Sequence, residues 1–163
     1  MRRDIPLTLC CTAALASAAL ACPNGSETLV SCTFEGGKKQ LQTCIAGDQV
    51  LYRFGATNRS PDLDLVRPVT EVGLAPWPGV SRTIWEEMTF ENDGFSYLVA
   101  YAQDRDPGTT EISGRLMVQQ GEDVLATLTC DPGSVVSAGY ALPIFDAKRA
   151  AGQHYNHQTY SWE

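Results

Sequence analysis

The residue types that carry out catalysis are few in this 163-residue chain, and their spacing does not favour a joint role. Its two histidines, His154 and His157, lie close to the end of the sequence, where Gln and Asn neighbours favour a loop over a metal-binding helix. Glu86 and Glu87 are adjacent in a predicted strand, so their side chains point to opposite faces and cannot share a substrate. No nucleophile turn, phosphate-binding glycine loop or zinc-binding helix motif is present. We therefore expect no catalytic residues, no metal ligands and no cofactor.

Glu86 and Tyr101 are expected to form a buried polar pair. Asp93-Gly94 is a favoured two-residue hairpin turn, and a tight turn there places Glu86 opposite Tyr101 on a face that is otherwise apolar and aromatic. A carboxylate on that face needs a hydrogen-bond partner, and the Tyr101 hydroxyl and Arg82 are the candidates. We interpret Glu86 as a structural carboxylate. The alternative is a catalytic acid with a raised pKa.

Three residues, Trp77, Trp85 and Glu87, are candidates for binding. Trp77 lies in a Pro76-Trp77-Pro78-Gly79 loop, whose prolines lower the entropy lost when the loop docks on a partner. The hairpin register places Trp85 and Glu87 together on the face opposite Glu86. An uncovered tryptophan there is typical of an interface anchor. The alternatives are that Trp77 caps one end of the fold and that another strand covers Trp85.

The elements that position these residues are short strands separated by turn signals. Runs rich in β-branched and aromatic residues predict the strands Thr28–Phe34, Gln40–Ile45, Gln49–Phe54, Leu63–Arg67, Thr83–Glu91, Phe95–Gln103, Ile112–Gln119 and Val124–Cys130. A short C-terminal helix is predicted from Asp146 to Ala151, followed by an aromatic tail. This pattern indicates an all-β fold, either an antiparallel barrel or a two-sheet sandwich.

The composition limits the possible classes of protein. Apolar residues make up 44% of the chain and charged residues 19%, which excludes an intrinsically disordered chain. The formal net charge is -7, and this disfavours nucleic-acid binding, which needs a basic face. An acidic chain suits a protein partner with a basic surface.

The N-terminus has the pattern of a secretory signal peptide spanning residues 1–21. Arg2 and Arg3 form a basic start, an apolar run covers residues 7–20, and Ala19-Leu20-Ala21 supplies the small residues of a cleavage site. Removing this segment changes the formal net charge to about -8, since it contains two arginines and Asp4. We expect a β domain from 22 to 145 and a helix with its tail from 146 to 163. No later segment is apolar enough to span a membrane.

Four cysteines remain after the predicted cleavage: Cys22, Cys32, Cys44 and Cys130. An even number of cysteines in an exported chain predicts two disulfides, with three possible pairings. We favour Cys32 with Cys44, across a predicted hairpin, and Cys22 with Cys130. Lipid attachment at Cys22 is the lesser alternative, because the residues before it fit a lipoprotein signal poorly.

The chain resembles the small periplasmic lysozyme inhibitors of bacteria in its signal peptide, domain size and pattern of short strands and cysteines. That family has a Ser-Gly-x-x-x-Tyr inhibitory loop. Here Ser113-Gly114-Arg115 begins similarly but lacks the tyrosine, and the segment from Asn92 to Tyr97 places its tyrosine after a different turn. The resemblance therefore implies a barrel-like antiparallel fold and an envelope location, and it assigns no inhibitory residue.

Together these features predict a periplasmic or secreted binding protein of the cell envelope. Inhibition of a basic cell-wall hydrolase such as lysozyme is the expected form of this activity. Two alternatives remain: an envelope glycan hydrolase using Glu86, and a structural component of the envelope.

Overall fold

The computed structural model describes residues 22–106, 108–109 and 111–163. The predicted signal peptide, residues 1–21, lies outside these residues. Across the described ranges, the structure contains no helix with the length and apolar character needed to cross a bilayer.

The described residues form two five-stranded antiparallel sheets, a two-stranded ribbon and one helix. In chain order the elements are β1 (Glu27–Phe34), β2 (Lys39–Ala46), β3 (Gln49–Ala56), β4 (Leu63–Pro68), β5 (Gly73–Ala75), β6 (Thr83–Asn92), β7 (Phe95–Asp104), β8 (Ile112–Gln120), β9 (Asp123–Thr129), β10 (Val136–Ser137), α1 (Pro143–Ala150), β11 (Tyr155–Asn156) and β12 (Ser161–Trp162). The first sheet has the order β10-β1-β2-β3-β4, and the second has the order β5-β6-β7-β8-β9. All eight predicted strands are present, whereas the prediction omitted the short strands β5, β10, β11 and β12.

The two sheets pack as an open sandwich rather than a closed barrel. Inward-facing side chains of both sheets form one core, because alternate residues of each strand are apolar. Tyr52 of the first sheet contacts two rings of the second, with centroid distances of 5.1 Å to Phe90 and 5.6 Å to Tyr97. The all-β prediction is therefore confirmed in its sandwich form.

The hairpin of β6 and β7 has the predicted register. Asp93 and Gly94 form the turn with positive φ values of 51° and 80°, as a tight two-residue turn requires. Glu86 lies opposite Tyr101, and Asn92 lies opposite Phe95. Residues 86, 88, 90, 99 and 101 are consequently buried on one face.

The disulfides differ from the favoured pairing. Cys22 is bonded to Cys44, and Cys32 is bonded to Cys130. The four predicted cysteines do form two disulfides, but the pairs Cys32–Cys44 and Cys22–Cys130 were wrong.

The register between β1 and β2 explains this difference. Cys32 lies opposite Leu41 on the inner face, whereas Cys44 lies opposite Thr28 on the outer face. A bulge between Thr28 and Val30 also shifts the pairing of β1 with β2. The two cysteines of the hairpin therefore point to opposite sides of the first sheet.

The Cys22 sulfur is occupied by its bond to Cys44. A lipid anchor at an N-terminal cysteine uses the same sulfur atom as a thioether. The structure therefore favours the disulfide over the lipid alternative at this position.

A second connection between the sheets lies beside the Cys32–Cys130 bond. The Asp131 carboxylate accepts hydrogen bonds from the Thr33 hydroxyl at 2.8 Å and from the Gly36 and Gly37 backbone N–H groups at 2.9 and 2.8 Å. These donors hold the pKa of Asp131 below its usual range. The end of β9 is thus fixed against the β1–β2 turn.

The C-terminal helix begins three residues earlier than predicted, at Pro143 instead of Asp146. Proline is favoured at the first helical position because a backbone N–H there has no acceptor within the helix, so its absence costs no hydrogen bond. Ile144 is fully buried in the core, and Trp162 packs on Phe145 with ring centroids 5.1 Å apart. The helix and the tail therefore join the same core as the strands.

Candidate functional site

Glu86 lies on the inner face of the second sheet and has no solvent-exposed surface. Its Oε2 accepts hydrogen bonds from the Tyr101 hydroxyl at 2.8 Å and from the Leu142 backbone N–H at 2.9 Å. The predicted contact with Tyr101 is present. The other candidate partner, Arg82, instead donates to Asp104 at 2.8 Å on the surface.

Burial raises the pKa of Glu86, and the hydrogen bonds from Tyr101 and Leu142 oppose that rise. Burial and the contact with Glu86 also raise the pKa of Tyr101. A glycan cannot reach this carboxylate between the two sheets. The placement of Glu86 therefore supports the structural interpretation over the catalytic alternative.

The outer face of the second sheet carries an open groove with a volume of about 460 Å³. Its floor consists of small residues contributed by β7 and β8: Ala100, Ala102, Ser113 and Gly114. Trp85 and Thr83 of β6 border one side, and Thr129 of β9 borders the other. A small side chain on the central strands leaves room between the longer side chains beside it, and this creates the groove.

Glu87 and Arg115 form an ion pair across the groove. Glu87 pairs with Ala100 on β7, and Ala100 pairs with Arg115 on β8, so the two charged side chains meet above the Ala100 methyl group. Arg115 Nη2 lies 2.6 Å from Glu87 Oε1. The side chains are 51% and 24% exposed, respectively, which leaves both within reach of a ligand.

Gly114 lets the groove floor lie close to the Cys32–Cys130 bond. A Cβ atom at this position would be 2.8 Å from Cys130 Sγ and 3.2 Å from a Val135 methyl group. Only glycine fits there without displacing the disulfide. The bridge between the sheets therefore lies directly behind the groove.

Trp77 belongs to a separate aromatic cluster beyond the start of β6. Its indole N–H donates to the Val80 carbonyl at 2.7 Å, and its ring lies 5.4 Å from that of Tyr140. The Arg105 guanidinium lies 5.3 Å from the Trp77 ring centroid. Trp77 is therefore held by its own loop and does not line the groove.

Four carboxylates lie at the opposite end of the second sheet, at the β6–β7 and β8–β9 turns: Glu91, Asp93, Glu122 and Asp123. Ser96 pairs with Gln119, which brings the two turns side by side at a separation of about 10 Å. Within the part of the chain that the structure describes, none of the four takes part in an ion pair. We call this set the acidic end.

The two histidines lie in the tail, outside any cluster of ligating groups. His154 Nε2 is 3.6 Å from a Glu163 carboxylate oxygen, and the His157 ring packs against Tyr155 at 5.1 Å. Among the described residues, no group of three His, Cys, Asp or Glu side chains is placed to hold a metal ion.

The structure brings two of the three predicted binding residues, Trp85 and Glu87, into one groove and places Trp77 elsewhere. Sequence reasoning assigned no binding role to Arg115 or to the small floor residues. Two small residues, Ala100 and Ala102, occupy successive outward positions of β7, and this feature of the sequence could have indicated a groove.

The segments behind the family resemblance do not form a protruding loop. Ser113, Gly114 and Arg115 lie inside β8, and the segment from Asn92 to Tyr97 contains the tight β6–β7 turn.

In comparisons with known proteins, no protein-family model matches the chain, and no curated protein or solved structure matches it.

Proposed function

We propose that this chain is an exported acidic binding protein of the cell envelope whose partner is a protein with a basic surface. A cell-wall hydrolase such as lysozyme, inhibited by the contact, is the expected partner. The observation that carries the proposal is the acidic end, where carboxylates of two neighbouring turns gather and none forms an ion pair with another described residue.

The local chemistry of the acidic end supports this role. The Glu91 carboxylate accepts from the Ser96 hydroxyl, which lies 2.8 and 2.9 Å from its two oxygens, and Asp93 accepts a hydrogen bond from the Asn92 amide at 3.0 Å. Arg67 approaches this region, but its guanidinium donates to the Glu91 carbonyl oxygen and not to a carboxylate. The negative charges therefore remain available to a partner.

Clustered charge of one sign favours rapid encounter with a partner of the opposite sign. The two turns lie about 10 Å apart, near the screening length of physiological salt, so the fields of their carboxylates add at short range. Such surfaces raise association rates more than they lower dissociation rates.

The two disulfides support an extracytoplasmic location. Disulfides form and persist in oxidising compartments, and two bridges in a small domain are typical of exported proteins. We propose the periplasm or the medium as the site of action, reached by the signal peptide expected at residues 1–21.

An inhibition assay tests the proposal with the protein of residues 22–163. Lysozyme activity on cell walls is measured with increasing protein at low and at high ionic strength. We expect inhibition that weakens as salt is raised, because salt screens the acidic end.

The variant Glu122→Lys/Asp123→Lys should weaken inhibition about tenfold at low salt. The matched control Asp62→Lys/Asp146→Lys makes the same charge change at exposed positions elsewhere and should inhibit like the unmodified protein. If both double variants lose the same amount of inhibition, the net charge of the protein and not the acidic end is responsible for it. If the unmodified protein does not inhibit at low salt, the inhibitor form of the proposal is rejected.

A further inference from the structure

The groove of the second sheet has a polar lining without net charge. Glu87 and Arg115 cancel each other's formal charge, since they form a contact of 2.6 Å inside the groove. The hydroxyl-bearing residues Thr83, Ser113 and Thr129 complete the polar border. A charged ligand would bring an uncompensated charge into the groove, whereas a neutral ligand can bind beside the ion pair.

The lining offers hydrogen-bond donors and acceptors at short spacing. The observed contact joins one guanidinium nitrogen to one carboxylate oxygen, so Arg115 keeps further N–H donors and Glu87 keeps a second oxygen. A sugar hydroxyl both donates and accepts, and vicinal hydroxyls match a donor and an acceptor placed side by side. Such a pair suits a polyhydroxylated ligand better than an apolar one.

Trp85 provides the apolar part of the site. It lines the groove beside Ala102, which lies directly opposite it on β7. The face of an indole ring carries partial negative charge and attracts the C–H groups that one side of a sugar ring presents. The groove volume of about 460 Å³ is within the range of small-molecule sites.

We propose that this groove is a binding site for a neutral carbohydrate. One sugar ring stacks on Trp85 over the floor of small residues, and its hydroxyls bind Glu87 and Arg115. This activity is separate from the contact proposed for the acidic end, which lies at the β6–β7 and β8–β9 turns.

Calorimetric titration with three neutral trisaccharides tests the site: a trimer of N-acetylglucosamine, cellotriose and maltotriose. We expect at least one of them to bind with a dissociation constant of about 1 mM or lower. Ala102→Leu fills the floor from the outer face and should weaken binding at least tenfold. Trp85→Ala should do the same by removing the stacking surface.

Trp77→Ala is the matched control, since it removes a tryptophan that lies outside the groove, and it should bind like the unmodified protein. Thermal unfolding of each variant shows whether the fold is intact, and Ala102→Leu gives the answer if Trp85→Ala does not fold. Glu122→Lys/Asp123→Lys should also keep sugar binding, so the two proposals can fail independently.

Three results would overturn the inference. The first is the absence of binding by all three trisaccharides at about 10 mM. The second is an unchanged dissociation constant in Ala102→Leu. The third is tighter binding of a tri-arginine peptide that Ala102→Leu abolishes, which would identify the groove as a site for basic side chains.

Discussion

A carboxylate inside an apolar core is stable only when the protein supplies hydrogen bonds in place of water. Glu86 receives two such bonds on one oxygen, from Tyr101 and from the Leu142 backbone N–H. Its Oε1 is buried and has no hydrogen-bond partner among the described residues. Only one of the two carboxylate oxygens therefore accepts hydrogen bonds from the described residues. The protonation state of Glu86 consequently affects the stability of the fold.

Glu86→Gln should change how stability depends on pH. The pKa of Glu86 is raised in the folded protein, so the folded state binds this proton more tightly than the unfolded state. The resulting stabilisation is fully present below about pH 4.3 and is lost as the pH rises through the raised pKa. Gln does not ionise, so the free energy of unfolding of Glu86→Gln, relative to the unmodified protein, should increase with pH across that window.

Denaturant unfolding at several pH values between about 4 and 8 measures this difference. Tyr101→Phe is the companion variant, since it removes a hydrogen bond that opposes the rise in pKa. Without this bond the pKa of Glu86 should rise further, so the stability lost with increasing pH should be larger and should extend to higher pH. If the free energies of unfolding of Glu86→Gln and the unmodified protein differ by the same amount at every pH, the raised pKa of Glu86 is contradicted.

At the scale of the elements, the strand register could be predicted only where the turn residues define the turn type. Asp93-Gly94 fixed the register of β6 and β7, and with it the pairing of Glu86 with Tyr101. The β1–β2 connection uses the longer turn from 35 to 38, and the bulge in β1 shifts the pairing further. Gly36-Gly37 marks this turn but not its exact bounds, and the bulge has no clear sequence signature. The register of β1 and β2, and with it the disulfide pairing, was therefore predicted wrongly.

The short elements escaped prediction for a related reason. β5, β10 and the β11–β12 ribbon have two or three residues each, too few to show an alternating pattern. Their positions depend on contacts with distant parts of the chain. Trp162, for example, donates its indole N–H to the Leu74 carbonyl at 2.8 Å and so fixes the tail against β5.

Lys148 of the helix is a buried cation whose removal should stabilise the protein. Its Nζ lies 5.1 Å from the Trp162 ring centroid and donates to Gln153 Oε1 at 3.1 Å. Burial lowers the pKa of Lys148 to about 8. Lys148→Met should raise the free energy of unfolding by roughly 1–2 kcal/mol at pH 7, because it removes the desolvation cost of the charge.

The advantage of Lys148→Met should shrink as the pH rises from about 8 towards about 10.4. In that range the folded protein loses the Lys148 proton before the unfolded chain does, so the unmodified protein gains stability. Denaturant unfolding between pH 6 and 10 measures the change, with the exposed Lys38→Met as the control. A destabilised Lys148→Met at pH 7 would show that the contacts with Trp162 and Gln153 outweigh the cost of burial.

At the scale of the whole molecule, the sequence indicated the fold class but not the groove. Trp85, Ala102, Arg115 and Thr129 come from four strands, and they converge only when the order and register of all three strand pairings are known. The barrel and sandwich alternatives could not be separated for the same reason, since closure depends on pairing between distant strands.

The two disulfides should contribute unequally to stability. Cys32–Cys130 closes a loop with a sequence separation of 98, and Cys22–Cys44 closes one with a separation of 22. The chain-entropy relation gives about 4–5 kcal/mol for the first and about 3 kcal/mol for the second. Cys32→Ala/Cys130→Ala should therefore lower the free energy of unfolding more than Cys22→Ala/Cys44→Ala.

Thermal and denaturant unfolding of the two double variants provide the comparison. The unmodified protein under reducing conditions serves as the reference for the loss of both bridges. The opposite order of stabilities would show that strain or residual structure in the unfolded chain outweighs loop length.

The position of Cys22 has a practical consequence for instruments that need an immobilised protein. Its partner Cys44 lies on the outer face of the first sheet, and the groove lies on the outer face of the second. A linker joined ahead of residue 22 emerges on the far side of the sandwich from Trp85. A sensor chip coated through that linker would present the groove towards the flowing analyte.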